Sequence, residues 1–415
     1  MIYVHVPFCK SRCIYCDFYS CALSSLDSSV LSRWADGVCR EAMERRDEIT
    51  ATSAVDTLYF GGGTPSVLPP GVLGRIADAC GGRSWKEWTV EVNPDDITPE
   101  YARALKSLGV NRVSMGVQSL DNGMLHWMNR RHDADGAREA FRRLRAAGFD
   151  NISIDIIFGI GGLSNAMLEA TLTELTDWHP EHISAYQLSI EEGSTLGKMA
   201  RGGCYTELSD ELCEAQYCLI CNVLRSAGYE HYEISNWALP GYRAIHNSAY
   251  WTRAPYVGLW PAAHSLRYEP QRITTIPRSC AAAPKGTGGV PPDTPCVAPL
   301  RYEPQRITTI GPLRTAPSWS EATEGIAASA AEGEPSPSPM GVQGDDSPLR
   351  TAPAVRSWNS CQPDGWTAES EVLSEEEIRE ERIMLGLRTA EGIPGYGRIP
   401  EERWFVADDI IASLL

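Results

Sequence analysis

The sequence has no uninterrupted apolar stretch approaching the ~20 residues that cross a bilayer, so an integral membrane protein is not expected. It opens Met-Ile-Tyr-Val-His-Val-Pro-Phe-Cys, with no basic segment ahead of an apolar one, and so lacks the pattern of a secretory signal. Positive charge is also scarce. Over 415 residues, 37 Lys+Arg stand against 54 Asp+Glu, a net charge of −17. Such a surface repels nucleic acid and anionic lipid unless a basic patch is concentrated in one region. None is visible, and a nucleic-acid partner is not expected. The 43% hydrophobic content is ample for a large core, and the length suggests two or three domains.

Cysteine, by contrast, is plentiful. There are 13, an odd number, and three fall between positions 9 and 16. Without a secretory signal, that crowding points to metal ligation in a reducing compartment rather than to a disulfide framework. A cytoplasmic location is the expectation.

Up to residue 190, short β-rich runs alternate with longer segments of helical spacing. The β runs are 2–6, 55–60, 89–92, 112–117, 151–158 and 182–190; the helical ones include 31–49, 99–108, 134–147 and 167–178. This regular alternation predicts parallel strands with crossover helices, an α/β fold. Six such units are fewer than the eight of a closed barrel, so a partial (β/α)6 barrel is expected. Gly109, Gly148 and Gly228 each follow a helical run, where a left-handed residue is wanted.

One more amphipathic helix is expected over 204–227. Its Cys213, Cys218 and Cys221 read as core residues rather than a second metal site. An aromatic-rich segment follows to residue 268. From about 267 to 355 the chain becomes dense in Pro, Ala, Gly, Ser and Thr and repeats one decapeptide perfectly, at 267–276 and 301–310. That composition cannot bury a core, and disorder is expected for most of it. Order is expected again near residue 371, with a helix over 373–387 whose N-cap is Ser374 and whose capping-box partner is Glu377. The domain reading is thus 1–200 partial barrel, 201–266 barrel end, 267–355 insertion, and 356–415 a short helical part of a smaller α+β C-terminal domain.

Cys9-Lys-Ser-Arg-Cys13-Ile-Tyr-Cys16 directly follows the first strand. Three thiolates on one loop can hold three irons of a [4Fe–4S] cluster and leave the fourth open, since such clusters normally take four cysteines. A structural zinc site completed by Cys21 or His5 is the alternative. Gly61-Gly62-Gly63-Thr64-Pro65 follows the second strand, where glycines let backbone approach a ligand. Glu91 and Asn93 end the third strand, Gln118 ends the fourth, and Asp155 lies in the fifth. Polar groups at the C-terminal ends of successive parallel strands point into one mouth.

The cysteine spacing on this strand–loop placement resembles the radical S-adenosylmethionine superfamily. With Phe149-Asp-Asn-Ile-Ser-Ile-Asp155 and His182-Ile-Ser-Ala-Tyr186, the motifs resemble the oxygen-independent coproporphyrinogen III oxidase-like family over residues 3–265. The resemblance implies that Cys9, Cys13 and Cys16 bind the cluster. It also implies that Tyr3, Tyr15, Gly62, Gly63, Thr64, Glu91, Gln118, Arg130 and Asp155 line the S-adenosylmethionine site. In the superfamily the open iron chelates that cofactor, and the reduced cluster cleaves its sulfonium to a 5′-deoxyadenosyl radical.

Within the family, true oxidases carry a further cysteine two residues on. Here Cys16 is followed by Asp17-Phe18, the pattern of the haem-chaperone branch, HemW, which also carries His-Asn-x-x-Tyr-Trp. That motif stands here as His246-Asn-Ser-Ala-Tyr250-Trp251, and the resemblance implies haem ligation by His246. It further implies delivery of haem to a haemoprotein acceptor such as a membrane respiratory complex. A coproporphyrinogen oxidase, acting by radical oxidative decarboxylation, is the alternative.

Overall fold

A computed structural model describes residues 1–23, 29–82, 84–260, 262–267, 271–277 and 366–412. Six strands, β1 (Ile2–Val6), β2 (Thr57–Gly62), β3 (Glu87–Val92), β4 (Arg112–Gln118), β5 (Ile152–Phe158) and β6 (His182–Gln187), lie side by side in chain order, all parallel. Helices α1 (Val30–Glu44), α2 (Pro70–Ala79), α3 (Pro99–Leu108), α4 (Ala134–Ala146) and α5 (Asn165–Asp177) make the crossovers. The sheet does not close: its order runs from one edge strand to another. This is the expected partial barrel.

Three of the crossover helices start, and two stop, for a visible local reason. Thr98, Asp133 and Ser164 side chains accept backbone N–H bonds at the starts of α3, α4 and α5. Gly109 and Gly148 follow α3 and α4 with φ of +97° and +89°, the left-handed conformation that ends a helix at little steric cost. The inward-facing apolar stripe of α4, Ala137, Ala140, Phe141 and Leu144, is buried against the sheet.

Four short strands that alternation does not predict lie in the aromatic segment, and three of them join the main sheet. A further helix, α6 (Asp210–Ser226), leads into β7 (Glu230–Glu233) and β8 (Asn236–Ala238). β8 pairs antiparallel with β6 and β7. After helix α7 (Ile245–Trp251), β9 (Val257–Leu259) returns to the opposite edge and pairs parallel with β1, Ile2 against Val257. These runs are only three or four residues long, and alternation has no room to show in them.

Residues 271–277, placed by composition in the disordered insertion, are instead a strand. β11 (Gln271–Pro277) pairs antiparallel with β10 (His264–Leu266) and with β12 (Trp366–Val372). Its Ile-Thr-Thr-Ile core is β-branched throughout, which outweighs the composition of its surroundings. The remaining insertion, including the second decapeptide copy at 301–310, lies outside the described residues. Helix α8 (Glu375–Gly386) carries the expected capping box between Ser374 and Glu377. Ile383, Leu387, Ile399 and Trp404 share one core cluster with the barrel. On α6, Cys213 and Cys221 are buried as expected, but Cys218 is exposed, on the turn that faces away from the sheet. Among the described residues no helix is long and apolar enough to cross a membrane.

Candidate functional site

The cysteine loop is held at both ends and in the middle. Phe8–Cys9 pairs with Cys21–Ala22, which closes the loop just beyond β1. Within it, the Cys16 N–H donates to the Cys13 carbonyl at 3.3 Å, a tight turn between two of the three thiols. The Ile14 N–H donates to the Met128 carbonyl, and the Ile14 carbonyl accepts from Leu196 N–H at 2.8 Å. Asn129 Nδ2 donates to the Arg12 carbonyl at 2.7 Å. Such pinning is what a preorganised ligand loop needs.

Cys9 is buried, and Cys13 and Cys16 are partly so. Thr64 Oγ1 donates to Cys9 Sγ at 3.4 Å, and Arg130 Nη1 donates to Cys13 Sγ at 3.3 Å. Burial, reinforced by the neighbouring cysteines, pushes the Cys16 thiol up to about 12; burial raises Cys9 as well. The buried Cys9 and Cys16 thiols therefore ionise only when a metal supplies the compensating charge. The donor set is one that a cationic cluster completes. It is not gathered for a single ion: among the described residues, only Cys221, His231 and Glu401 have donor atoms all within 4.8 Å of one another.

Around the loop stand the C-terminal ends of β2 to β5. Gly62 has φ +107°, and its N–H donates to Glu91 Oε2 at 3.2 Å. A Cβ at Gly63 would stand 2.8 Å from the carbonyl oxygens of Val6 and Phe8, so only glycine fits beside the cysteine strand. The Thr64 N–H bonds Phe8 O at 2.8 Å, which brings its hydroxyl to Cys9. Tyr3, on β1, stacks on Tyr59 with ring centroids 6.0 Å apart, and Tyr59 donates to Glu91 Oε1 at 2.7 Å. Tyr15 packs beside Cys13 and Arg130.

Arg130 donates to Asn93 Oδ1 and the Gly116 carbonyl at 2.7 and 2.6 Å. Its buried Nε has no partner. A buried guanidinium N–H left over beside Cys13 is a site for an anionic group. Gln118 sits at φ +67°, where the register between β4 and β5 shifts, and its amide lies over Gly116. Strain of that kind at a strand end is costly and aims a side chain where regular β geometry would not. Asp155 accepts from Ser114 Oγ at 3.0 Å.

Tyr3, Tyr15, Gly62, Gly63, Thr64, Glu91, Gln118, Arg130 and Asp155 thus come from β1 to β5 and from the loops that follow them. The spare Arg130 Nε fits a ligand with a carboxylate group, while Gly62 and Gly63 let β2 close on His5, Val6 and Phe8 of the cysteine strand. Sequence reading missed the layer beneath. Arg112, Ser114, Gly116 and Gln118 alternate along β4 with buried Val113, Met115 and Val117; Ser153 and Asp155 alternate along β5 with Ile152, Ile154 and Ile156. Polar residues of period two on parallel strands are the signal of a polar barrel interior.

Burial pushes Glu91 up to about 7, against hydrogen bonds from Tyr59 and Gly62 that pull it down. The folded, cofactor-free protein therefore keeps a proton that the unfolded chain has released above its ordinary value of 4.5. Stability should fall as pH rises from that value to about 7 and then level off. Glu91→Gln, which resembles the protonated acid, should melt near the parent at pH 5 and above it at pH 8. Parallel melting curves for the two proteins across that range would remove Glu91 as the cause.

His246 is placed elsewhere. It is 1% exposed, at the start of α7. Its Nδ1 is 2.8 Å from Thr57 Oγ1, its Nε2 is 3.0 Å from the Tyr250 hydroxyl, and its ring packs on Tyr59 at 5.0 Å. Glu87 holds the backbone of Ile245 and His246 through two N–H bonds. In this arrangement neither imidazole nitrogen is open to a haem iron, and burial holds the ring well below the ordinary histidine pKa.

Known proteins resemble this chain in sequence and in fold. The family model described as Radical SAM superfamily matches residues 3–175. The Heme chaperone HemW of Lactococcus lactis subsp. lactis is 32% identical over 265 residues, 63% of this chain and 68% of that one. The Heme chaperone HemW of Bacillus subtilis is 31% identical over 269 residues, 63% of this chain and 69% of its own length. Among solved structures, the coproporphyrinogen III oxidase HemN from Escherichia coli, a radical SAM enzyme, superposes with a TM-score of 0.56. It is 20% identical and aligns with 66% of this chain and 65% of its own, a likeness of fold.

Proposed function

Because the chain belongs to the radical SAM superfamily, and within it to the HemW heme-chaperone family, we propose that it carries a [4Fe–4S] cluster and S-adenosylmethionine in the barrel mouth and binds haem as cargo for a haemoprotein acceptor. The observation that supports this most is the convergence of the three-cysteine loop with Gly62–Thr64, Glu91, Gln118, Arg130 and Asp155 at one end of the sheet. When bound, the cluster supplies a single reducing electron to the sulfonium cofactor.

The chain's own residues then divide the work. Cys9, Cys13 and Cys16 hold three irons, and the Arg130 guanidinium at Cys13 steadies the thiolate charge. Arg130 Nε takes an anionic group of the cofactor. Gly62 and Gly63 let β2 close against the strand that carries the cysteine loop, and Thr64 keeps Cys9 oriented. Glu91 accepts a cationic amino group as the carboxylate, and that positive charge draws its raised pKa back down. Tyr3, Tyr15, Gln118 and Asp155 complete the wall.

Asp17-Phe18 after Cys16 leaves no further cysteine of the kind oxidases carry, so the haem-cargo reading is preferred to coproporphyrinogen oxidation. Anaerobic reconstitution followed by two assays on one sample tests it. Haem titration should saturate near one equivalent, and coproporphyrinogen should be recovered unchanged. Catalytic loss of coproporphyrinogen would replace this reading with the oxidase.

For His246 the expected result follows from its burial. His246→Ala leaves the Thr57 and Tyr250 hydroxyls without their imidazole partner and opens a cavity against Tyr59, a loss of about 2–4 kcal/mol. A melting point several degrees lower is expected, with the cluster retained. If His246 also ligates haem, the α7 segment must swing out, and the variant then loses or shifts the Soret band. An unchanged Soret band with a lowered melting point makes it a structural residue.

A further inference from the structure

Helix α6, strand β7 and the C-terminal segment bring three unlike donors together, far along the chain from the cysteine loop. Cys221 Sγ lies 4.0 Å from His231 Nδ1, and His231 Nδ1 lies 2.9 Å from Glu401 Oε1. All three donor atoms fall within 4.8 Å of one another. Tetrahedral geometry at ordinary zinc bond lengths puts neighbouring donors about 3.3–3.6 Å apart, so small movements close these three around one ion.

The hydrogen-bond count at His231 is the second observation. Tyr217 donates its hydroxyl proton to the Ile234 carbonyl at 2.8 Å. His231 Nε2 lies 3.2 Å from that same carbonyl and 3.5 Å from the Tyr217 oxygen. Both neighbours of Nε2 therefore need it to donate. A neutral ring with its proton on Nε2 turns a bare Nδ1 lone pair toward the Glu401 carboxylate, acceptor against acceptor. The other tautomer moves the same conflict to Ile234; an imidazolium paired with Glu401 or a cation at Nδ1 satisfies both sides, and the variants below tell the two apart. The Cys221 thiol, at 4.0 Å, gives Nδ1 only a long, weak contact. The ring is 4% exposed, stacked on Trp237 at 4.1 Å and capped edge-on by Trp404, so its orientation is fixed. An Nε2–H held by a backbone carbonyl with Nδ1 turned to a thiol and a carboxylate is how a metal-bound histidine is oriented.

We propose that Cys221, His231 and Glu401 bind a thiophilic divalent cation of the zinc class, a structural metal that fastens the C-terminal segment to the barrel. Sulfur, imidazole and carboxylate together suit zinc rather than magnesium or calcium. Water or Cys218, exposed and three residues before Cys221 on α6, completes the shell. Arg225 opposes the ion: its Nη2 donates to the same Glu401 oxygen at 2.7 Å. Removing that guanidinium frees the carboxylate and should tighten binding, an outcome that a plain ion pair between His231 and Glu401 does not share.

The test uses the full chain with its iron–sulfur cluster reconstituted, equilibrated with zinc sulfate and passed over a chelating resin. About one zinc per chain should remain in the parent, with none in Cys221→Ser and less in Glu401→Gln, while iron and sulfide stay constant. Zinc should raise the parent's melting point and leave that of Cys221→Ser unmoved. Arg225→Ala, at an exposed position, should hold zinc against several-fold more chelator. Cobalt in place of zinc should give a thiolate charge-transfer band that Cys221→Ser lacks. No zinc retained by the parent, or equal zinc in parent and Cys221→Ser, overturns the proposal. If Cys221→Ser does not fold, Glu401→Gln and Arg225→Ala decide it, since opposite changes in zinc affinity are required of them.

Discussion

Replacing Cys9, Cys13 or Cys16 by serine, singly, is expected to abolish the ~400 nm iron–sulfur absorbance and with it S-adenosylmethionine binding, because each thiolate holds one iron. A serine hydroxyl keeps its proton under conditions where a metal strips a thiol, and it is a poor ligand for iron in a sulfide cluster. The fold should survive. Cys13 and Cys16 lie in a loop whose backbone is pinned through Ile14, Arg12 and the turn between them, none of which uses sulfur. Cys9 is buried and loses only a long contact from Thr64. Melting points within a few degrees of the cluster-free parent are therefore expected. Cys218→Ser and Cys221→Ser should keep the absorbance, since both lie on α6. Full iron and sulfide content in any one of the three loop variants would sink the assignment.

The second large effect is expected at Gly62. Gly62→Ala puts a Cβ into the His5 ring, 2.5 Å from its Cε1, in a backbone conformation of φ +107° that alanine rarely adopts. Neither partner can give way cheaply. His5 is 3% exposed and held by Tyr19 O at 2.9 Å and by the Tyr3 hydroxyl at 3.3 Å. The conformation alone costs about 1–3 kcal/mol, and the clash adds to it. Relief requires β2 to move from β1, which separates Gly62–Thr64 from the cysteine loop. Cofactor binding should fall at least tenfold, with a clearly lower melting point. A variant that melts and binds as the parent does would show that the strand end is softer than its contacts imply.

Much of this arrangement was legible because it repeats. Six strand–helix units and the polar residues closing each strand follow from periodicity, and the capping box at Ser374 and Glu377 follows from four residues. What escaped has no periodicity to read. β7, β8 and β9 are too short to alternate, and β11 is surrounded by sequence of another character. Gln118 gives no local sign of its left-handed backbone, which arises from the register shift between β4 and β5. His246 reads alike as ligand or core residue; only Thr57, Tyr250 and Glu87 from distant elements place it under cover. The grouping of Cys221 with His231 and Glu401 spans two turns of chain and a whole insertion, and no spacing rule joins them.

The pairing of β9 with β1 bears on the order of assembly. The strand that feeds the cysteine loop has β2 on one side, but its other edge is covered only by residues 257–259. On a growing chain that edge stays open while the whole barrel is synthesised, a bare row of N–H and C=O groups available to any passing strand. The contact that finally covers it is among the most distant in sequence, and such contacts form slowly. Iron supplied before residue 259 has emerged meets a cysteine loop whose supporting strand is still a sheet edge. Loading the cluster onto a released chain and loading it during translation should therefore proceed at different rates.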